Sequence, residues 1–221
     1  MKKNDFRAAL CGLYVITGER AMGEISIENH ALIASAAIAG GAKIIQLRAK
    51  STLATELPNV ARALRTLTRE AGVLLIINDN PHLVLECDAD GVHLGPDDLS
   101  INEAREILGD EKIIGVSCGD NLEARAAFEN GADYIGAGAI FSTNSKADAG
   151  APIGLENLRE IVLATPLPVA AIGGIALENI LEIYKTGAAM ACVISAITKC
   201  ANENEMAKVT RDLSEKFGEK L

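Results

Sequence analysis

Eight short apolar runs, separated by longer amphipathic stretches, leave this chain few ways to fold. The runs are GLYVIT (12–17), KIIQLRAK (43–50), LLIIND (74–79), GVHLG (91–95), IIGVSC (113–118), YIGAGAIF (134–141), PVAAIGG (168–174) and MACVIS (190–195). Helical spacing covers 28–39, 57–71, 101–108, 122–130, 155–164, 176–185 and 202–217, with a further short helix between the third and fourth runs. Strands alternating with helices of this length imply a parallel sheet, and eight repeats predict an α/β fold closed into a (β/α)8 TIM barrel. Gly-Ala stands just before strands at Gly41-Ala42, Gly131-Ala132 and Gly187-Ala188, where glycine is the expected helix cap. A length of 221 residues without any low-complexity linker fits a single barrel domain over 1–221. An open doubly wound sheet is the alternative. No G-x-G-x-x-G joins the first strand to a helix, so a dinucleotide cofactor is not expected.

Composition narrows the function classes. With 30 acidic residues against 21 basic, a net charge of −9 and 3% aromatic residues, the chain lacks the basic stripes and stacking platforms of a nucleic-acid surface. An anionic substrate would need a local group of cations, or a metal, to overcome that field. The cysteines, Cys11, Cys87, Cys118, Cys192 and Cys200, are odd in number and show no C-x-x-C spacing, so neither disulfides nor a zinc site is expected. The apolar runs are too short to cross a bilayer, and the opening MKKNDFRAALCG has no apolar segment of signal-peptide length. The expectation is a soluble cytoplasmic protein without membrane or nucleic-acid partners, its subunit number, a homo-oligomer included, left open.

In such a barrel the chemistry belongs at the C-terminal ends of the strands. The third and fourth strands would bring Asn78, Asp79, Asp97 and Asp98 to one mouth, and paired carboxylates beside a phosphorylated ligand suit Mg²⁺. The alternative is plain turn chemistry, with Asn-Asp-Asn-Pro closing a strand and Pro-Asp-Asp leading into a helix cap. On strand 2, alternation puts Gln46, Arg48 and Lys50 on one face and turns Ala49 away. Two cations and an amide there make a diphosphate clamp, or else solvated strand-end charges. His93, inside strand 4, is read as a hydrogen-bonded structural histidine ahead of an acid or base. Ser117 ends strand 5 with a hydroxyl for a ligand, and nothing nearby activates it, or Cys118, as a nucleophile. The segment 141–150 is small and polar with the single cation Lys146, fit to close over an anion or simply to be a solvated loop. Gly173-Gly174 and Ile194-Ser195 end strands 7 and 8, a frequent phosphate position in these barrels, though glycine also serves turns.

These motifs in this order resemble the thiamine phosphate synthase (thiamine-phosphate pyrophosphorylase) family from about residue 13 to about residue 197. QLRAK is similar to its Gln-Leu-Arg-Glu-Lys, IINDN to its Asn-Asp after strand 3, and DGVHLGPDDL to its Asp-Gly-Val-His-Leu-Gly-Gln-Glu-Asp-Leu. GADYIGAGAIFSTNSK resembles its strand 6 and Thr-x-Thr-Lys loop, and AAIGGI and VISAI its last two strand ends. The resemblance implies a transferase that joins an aminopyrimidine methyl diphosphate to a thiazole phosphate by a dissociative displacement, releasing pyrophosphate. It implies that Gln46, Arg48, Lys50, Asn78, Ser117 and Lys146 hold the pyrimidine diphosphate, with Arg48, Lys50 and Lys146 carrying the catalysis. Asp79 and Asp98 would bind Mg²⁺ with Asp97 as a neighbour, and Thr143, Ser145, Gly174, Ile194 and Ser195 would receive the thiazole phosphate.

The chain departs from the family pattern at Ala49 for Glu, Pro96-Asp97 for Gln-Glu, Ser145 for the second Thr, and Cys118-Gly119 for a polar pair. The last of these bears most on pyrimidine recognition. A thiazole tautomerase of the related branch, or a non-catalytic barrel binding the thiazole phosphate, is the nearest rival. The tautomerase would not need Arg48, Lys50, Asp79 and Asp98 together, and the non-catalytic reading would be identified by ligand binding without turnover. A sugar-phosphate epimerase or aldolase should show an acid-base pair or Schiff-base lysine inside the barrel, and none is found.

Overall fold

The structure is a computed structural model that describes residues 9–18, 27–49, 55–143, 145 and 150–218. Eight parallel strands, β1 (Gly12–Thr17), β2 (Ile44–Leu47), β3 (Leu74–Asn78), β4 (Gly91–Leu94), β5 (Ile113–Cys118), β6 (Tyr134–Ala137), β7 (Val169–Ile172) and β8 (Met190–Val193), pair in chain order and close into a barrel. Helices α1 (Ile27–Ala39), α2 (Leu57–Ala71), α3 (Pro81–Cys87), α4 (Ile101–Leu108), α5 (Asn121–Glu129), α6 (Gly154–Ala164) and α7 (Ile180–Tyr184) join successive strands. The short α8 (Ser195–Thr198) and the long α9 (Glu203–Gly218) follow β8. This is the expected (β/α)8 TIM barrel.

Alternation along each strand divides the apolar residues between two cores. Leu13, Val15, Ile45, Leu47, Leu75, Ile77, Val92, Ile114 and Ile135 point outward and meet the helices. Tyr14, Ile16, Ile44, Leu74, Ile76, Ile113, Tyr134, Met190 and Cys192 point inward and fill the barrel. Ala49 packs against the outer core, so strand 2 does turn it from the mouth. The helix ends are set by local chemistry. Asn80 caps α3 by accepting from Leu83 N–H at 3.1 Å, and Ser100 and Glu103 form a capping box on α4. The Gly-Ala boundaries hold as read, with Gly41, Gly131 and Gly187 at φ of 93°, 87° and 88°, where a β-carbon is costly.

Several strands end a few residues before their apolar runs do, and two boundaries move furthest. The sixth run was expected to stay extended to residue 141, yet the strand ends at Ala137. Beyond it Ile140 N–H donates to Ile172 O and Phe141 N–H to Gly173 O, so the segment stays bonded to β7 outside the ladder. Helix α7 was expected from 176 and begins at Ile180. Asn179 holds the intervening turn, its Oδ1 accepting from Ala176 N–H and its Nδ2 donating to Gly174 O, both at 2.9 Å.

At the opposite, N-terminal face a device recurs two strands apart. Asp90, just before β4, accepts from Leu75 N–H of β3 and pairs with Arg65 of α2 at 2.9 Å. Asp133, just before β6, accepts from Ile114 N–H of β5 and pairs with Arg105 of α4 at 2.8 Å. Each carboxylate thus ties a helix and two neighbouring strands together.

Candidate active site

A cavity of about 480 Å³ opens at the C-terminal mouth of the barrel, where parallel pairing collects the strand ends. The ladder register levels Asn78 with His93, Ser117 with Gly136, and Ile172 with Cys192, and all six line the cavity. Of the residues singled out from the sequence, Arg48, Asn78, Asp79, Asp98, Ser117, Thr143, Ser145, Gly174, Ile194 and Ser195 are brought together on its wall. Lys50 and Lys146 lie outside the described residues. Gln46 sits one layer lower, level with Ile16 and Ile76, and is buried with its amide nitrogen on the Tyr14 hydroxyl.

Arg48 is the one cation on the wall among the described residues. Its backbone is fixed from β1. The buried Thr17 hydroxyl accepts from Arg48 N–H at 3.4 Å and donates to Gln46 O at 3.2 Å, with His30 Nδ1 a further 2.9 Å away. The acidic side comes from β3 and β4. Asp79 adopts the left-handed conformation at φ 65°, its N–H donating to His93 O at 2.8 Å. Asp98 accepts from Gly95 N–H at 2.7 Å through Oδ2. The turn reading holds for Asn80 and Ser100, which do the capping, while Asn78, Asp79 and Asp98 line the cavity. Among the described residues no group of three or more His, Cys, Asp and Glu side chains is placed to hold a metal. Two carboxylates with an amide are a hard-oxygen set that fits Mg²⁺ when substrate phosphate and water complete its shell.

The opposite wall is suited to an anion. Thr143 donates to Ser145 Oγ at 3.2 Å and accepts from Ser145 N–H, which groups two hydroxyls. Gly174 follows at φ 64°, so close to Phe141 and Ser142 O that a β-carbon would lie 2.6 Å from that oxygen. Its backbone is thereby exposed to the cavity without a side chain in the way. Cys118 lines the cavity without being a nucleophile, since burial, with Glu123 and Asp120 nearby, pushes its thiol up to about 12. His93 is hydrogen-bonded through both ring nitrogens, to Tyr134 at 2.9 Å and Ser117 at 3.1 Å, in agreement with the structural reading. Sequence reasoning missed Tyr14, Tyr134, Thr17 and His30. The inward phase of Tyr14 on β1 and Tyr134 on β6 was countable, yet they meet each other across the barrel, while Thr17 takes the outward phase of β1 and meets His30 of α1.

The fold and this wall define a (β/α)8 barrel with a polar cavity at its C-terminal mouth. The family profile described as Thiamine monophosphate synthase matches residues 13–197. A thiamine-phosphate synthase of Moorella thermoacetica is 45% identical over 199 residues, which are 90% of this chain and 93% of the relative. One from Halalkalibacterium halodurans is 40% identical over 214 residues, 97% of this chain and 98% of the relative. The solved thiamine phosphate pyrophosphorylase of Pyrococcus furiosus superposes with a TM-score of 0.83 at 38% identity, covering 97% of this chain and 100% of its own. The chain belongs to the thiamine monophosphate synthase family. No described helix is long and apolar enough to cross a membrane.

Proposed function

We infer that this chain is a transferase of thiamine biosynthesis, joining an aminopyrimidine methyl diphosphate to a thiazole phosphate to give thiamine phosphate and pyrophosphate. The observation that carries the reading is the two-sided cavity, with Arg48, Asn78, Asp79, Asp98 and Ser117 on one wall and Thr143, Ser145, Gly174, Ile194 and Ser195 on the other. One wall is suited to a diphosphate with its metal, the other to a monophosphate.

The chemistry needs no protein nucleophile, which agrees with a protonated Cys118. The C–O bond to the diphosphate breaks to leave a cation stabilised by the aminopyrimidine, and the thiazole nitrogen then attacks the methylene carbon. Arg48, with Lys50 and Lys146 from outside the described residues, neutralises charge growing on the departing pyrophosphate. Asp79 and Asp98 would hold Mg²⁺, which supplies further charge neutralisation there. Thr143, Ser145 and the backbone of Gly174 orient the second substrate, so that two encounters become one aligned reaction.

The test is to incubate purified protein with both substrates and Mg²⁺ and measure thiamine phosphate, with EDTA as control. Product that disappears with EDTA and returns with added Mg²⁺ is expected. Folded protein that binds the thiazole phosphate yet yields no product would replace this reading with the tautomerase or ligand-binding one.

A further inference from the structure

The barrel interior holds a run of hydrogen bonds that the reaction just described leaves unused. Gln46 Nε2 on β2 donates to the Tyr14 hydroxyl at 2.6 Å, and Tyr14 meets the Tyr134 hydroxyl at 3.0 Å. Tyr134 meets His93 Nδ1 at 2.9 Å, and His93 Nε2 reaches Ser117 Oγ at 3.1 Å. The run crosses the barrel and ends at the cavity wall. Space is cleared for it: a β-carbon on Gly115 would fall 2.1 Å from the Tyr134 ring, and one on Gly136 would fall 2.9 Å from His93 Cε1.

The direction of the run follows from its first donor. An amide nitrogen only donates, so Tyr14 accepts from Gln46 and passes its own proton to Tyr134. Tyr134 in turn donates to Nδ1 of His93, leaving the neutral ring with its proton on Nε2, which donates to Ser117. Burial holds both phenols well above their ordinary value, so neither link is lost by ionisation near neutral pH. The Ser117 proton finds no acceptor among the described residues, and Ser117 lines the cavity.

We propose that Tyr14, Tyr134 and His93 form a positioning relay that fixes Ser117 as a hydrogen-bond donor toward an acceptor atom of the pyrimidine diphosphate. A substrate offering a ring nitrogen or diphosphate oxygen is accepted there by the Ser117 proton. This rests on the function inferred above, so the first test needs no substrate. In the ligand-free protein, ¹⁵N NMR should find His93 as the Nε2–H tautomer. Gln46→Leu, which withdraws the donor from Tyr14, should free the run from its fixed direction and let the Nδ1–H tautomer appear beside the Nε2–H one. An Nδ1–H tautomer in the unaltered protein overturns the relay and leaves the function standing.

The kinetic test separates positioning from packing. Tyr134→Phe keeps the ring and should lower kcat/KM for the pyrimidine diphosphate about 10- to 100-fold, with KM for the thiazole phosphate unchanged. In a Ser117→Ala background the same change should cost less than about twofold, because the hydroxyl it serves is gone. Equal losses in both backgrounds would overturn the proposal. Should Tyr134→Phe fail to fold, Tyr14→Phe, one link further back, is read in the same cycle with the same criterion.

Discussion

Asp79 holds a left-handed backbone at φ 65°, a region that aspartate tolerates and glycine prefers. Its N–H is bound to His93 O, which locks the turn against β4, and its side chain lines the cavity. Backbone conformation taken by itself favours glycine there. Asp79→Gly is therefore expected to leave the thermal midpoint unchanged or up to about 3 °C higher. It should also reduce coupling by at least about 100-fold, through loss of the carboxylate proposed to hold Mg²⁺. A midpoint more than about 5 °C lower, read by a thermal melt beside the steady-state assay, would assign the carboxylate to holding the fold instead. Residues of this kind were legible in the sequence because they end strands: counting alternate positions from an apolar run reaches Arg48, Asn78 and Ser117 directly. Tyr14 and Tyr134 were not, since their contact spans 120 positions and no local spacing encodes it. The same holds for Gly115 and Gly136, whose lack of a side chain has meaning only once the ring opposite is known.

Among the elements, the paired brackets at the N-terminal face hold the barrel away from its chemistry. The Asp133 side chain is 5% exposed and its Arg105 partner 18%, whereas Asp88, paired with Arg69 and Lys112 nearby, is 63% exposed. Removing one charge of a buried, hydrogen-bonded pair leaves the other uncompensated, while solvent screens the exposed pairs. Asp133→Asn should destabilise by about 2 to 4 kcal/mol and Asp88→Asn by less than about 1 kcal/mol, both with unchanged kcat/KM. Denaturant unfolding of the two variants checks this, and equal losses would refute the bracket. The order and number of elements were legible because hydrophobic period and length decide them. Their ends were less so. Helix α7 starts late because Asn179 bonds to Ala176 and Gly174, and β6 stops early because 138–141 follows the end of β7 outside the ladder. Such side-chain and loop bonds compete with the local pattern that was being read.

For the whole molecule, which carries a net charge of −9, closing the barrel gathers Arg48 and the polar strand ends at one mouth, where the proposed substrates would sit. The same closure seals two phenols inside, and this gives the protein a pH limit. Tyr14 and Tyr134 keep their protons well above the ordinary 10.0 because burial disfavours the phenolate, and the Cys118 thiol is likewise raised from 9.0. When the chain unfolds, these groups return to ordinary values and release protons wherever the pH exceeds them. The folded state then binds more protons than the unfolded one, so stability falls as pH rises. The contribution is fully present below about pH 9 and declines first through Cys118 and then, above about pH 10, through the tyrosines. Each group adds up to about 1.4 kcal/mol of loss per pH unit. Urea unfolding from pH 8 to 11 should therefore show a slope that Tyr14→Phe and Tyr134→Phe each make shallower by about one such increment. Slopes parallel to that of the unaltered protein would mean that water reaches the phenols, and the interior would have to be redrawn as wet.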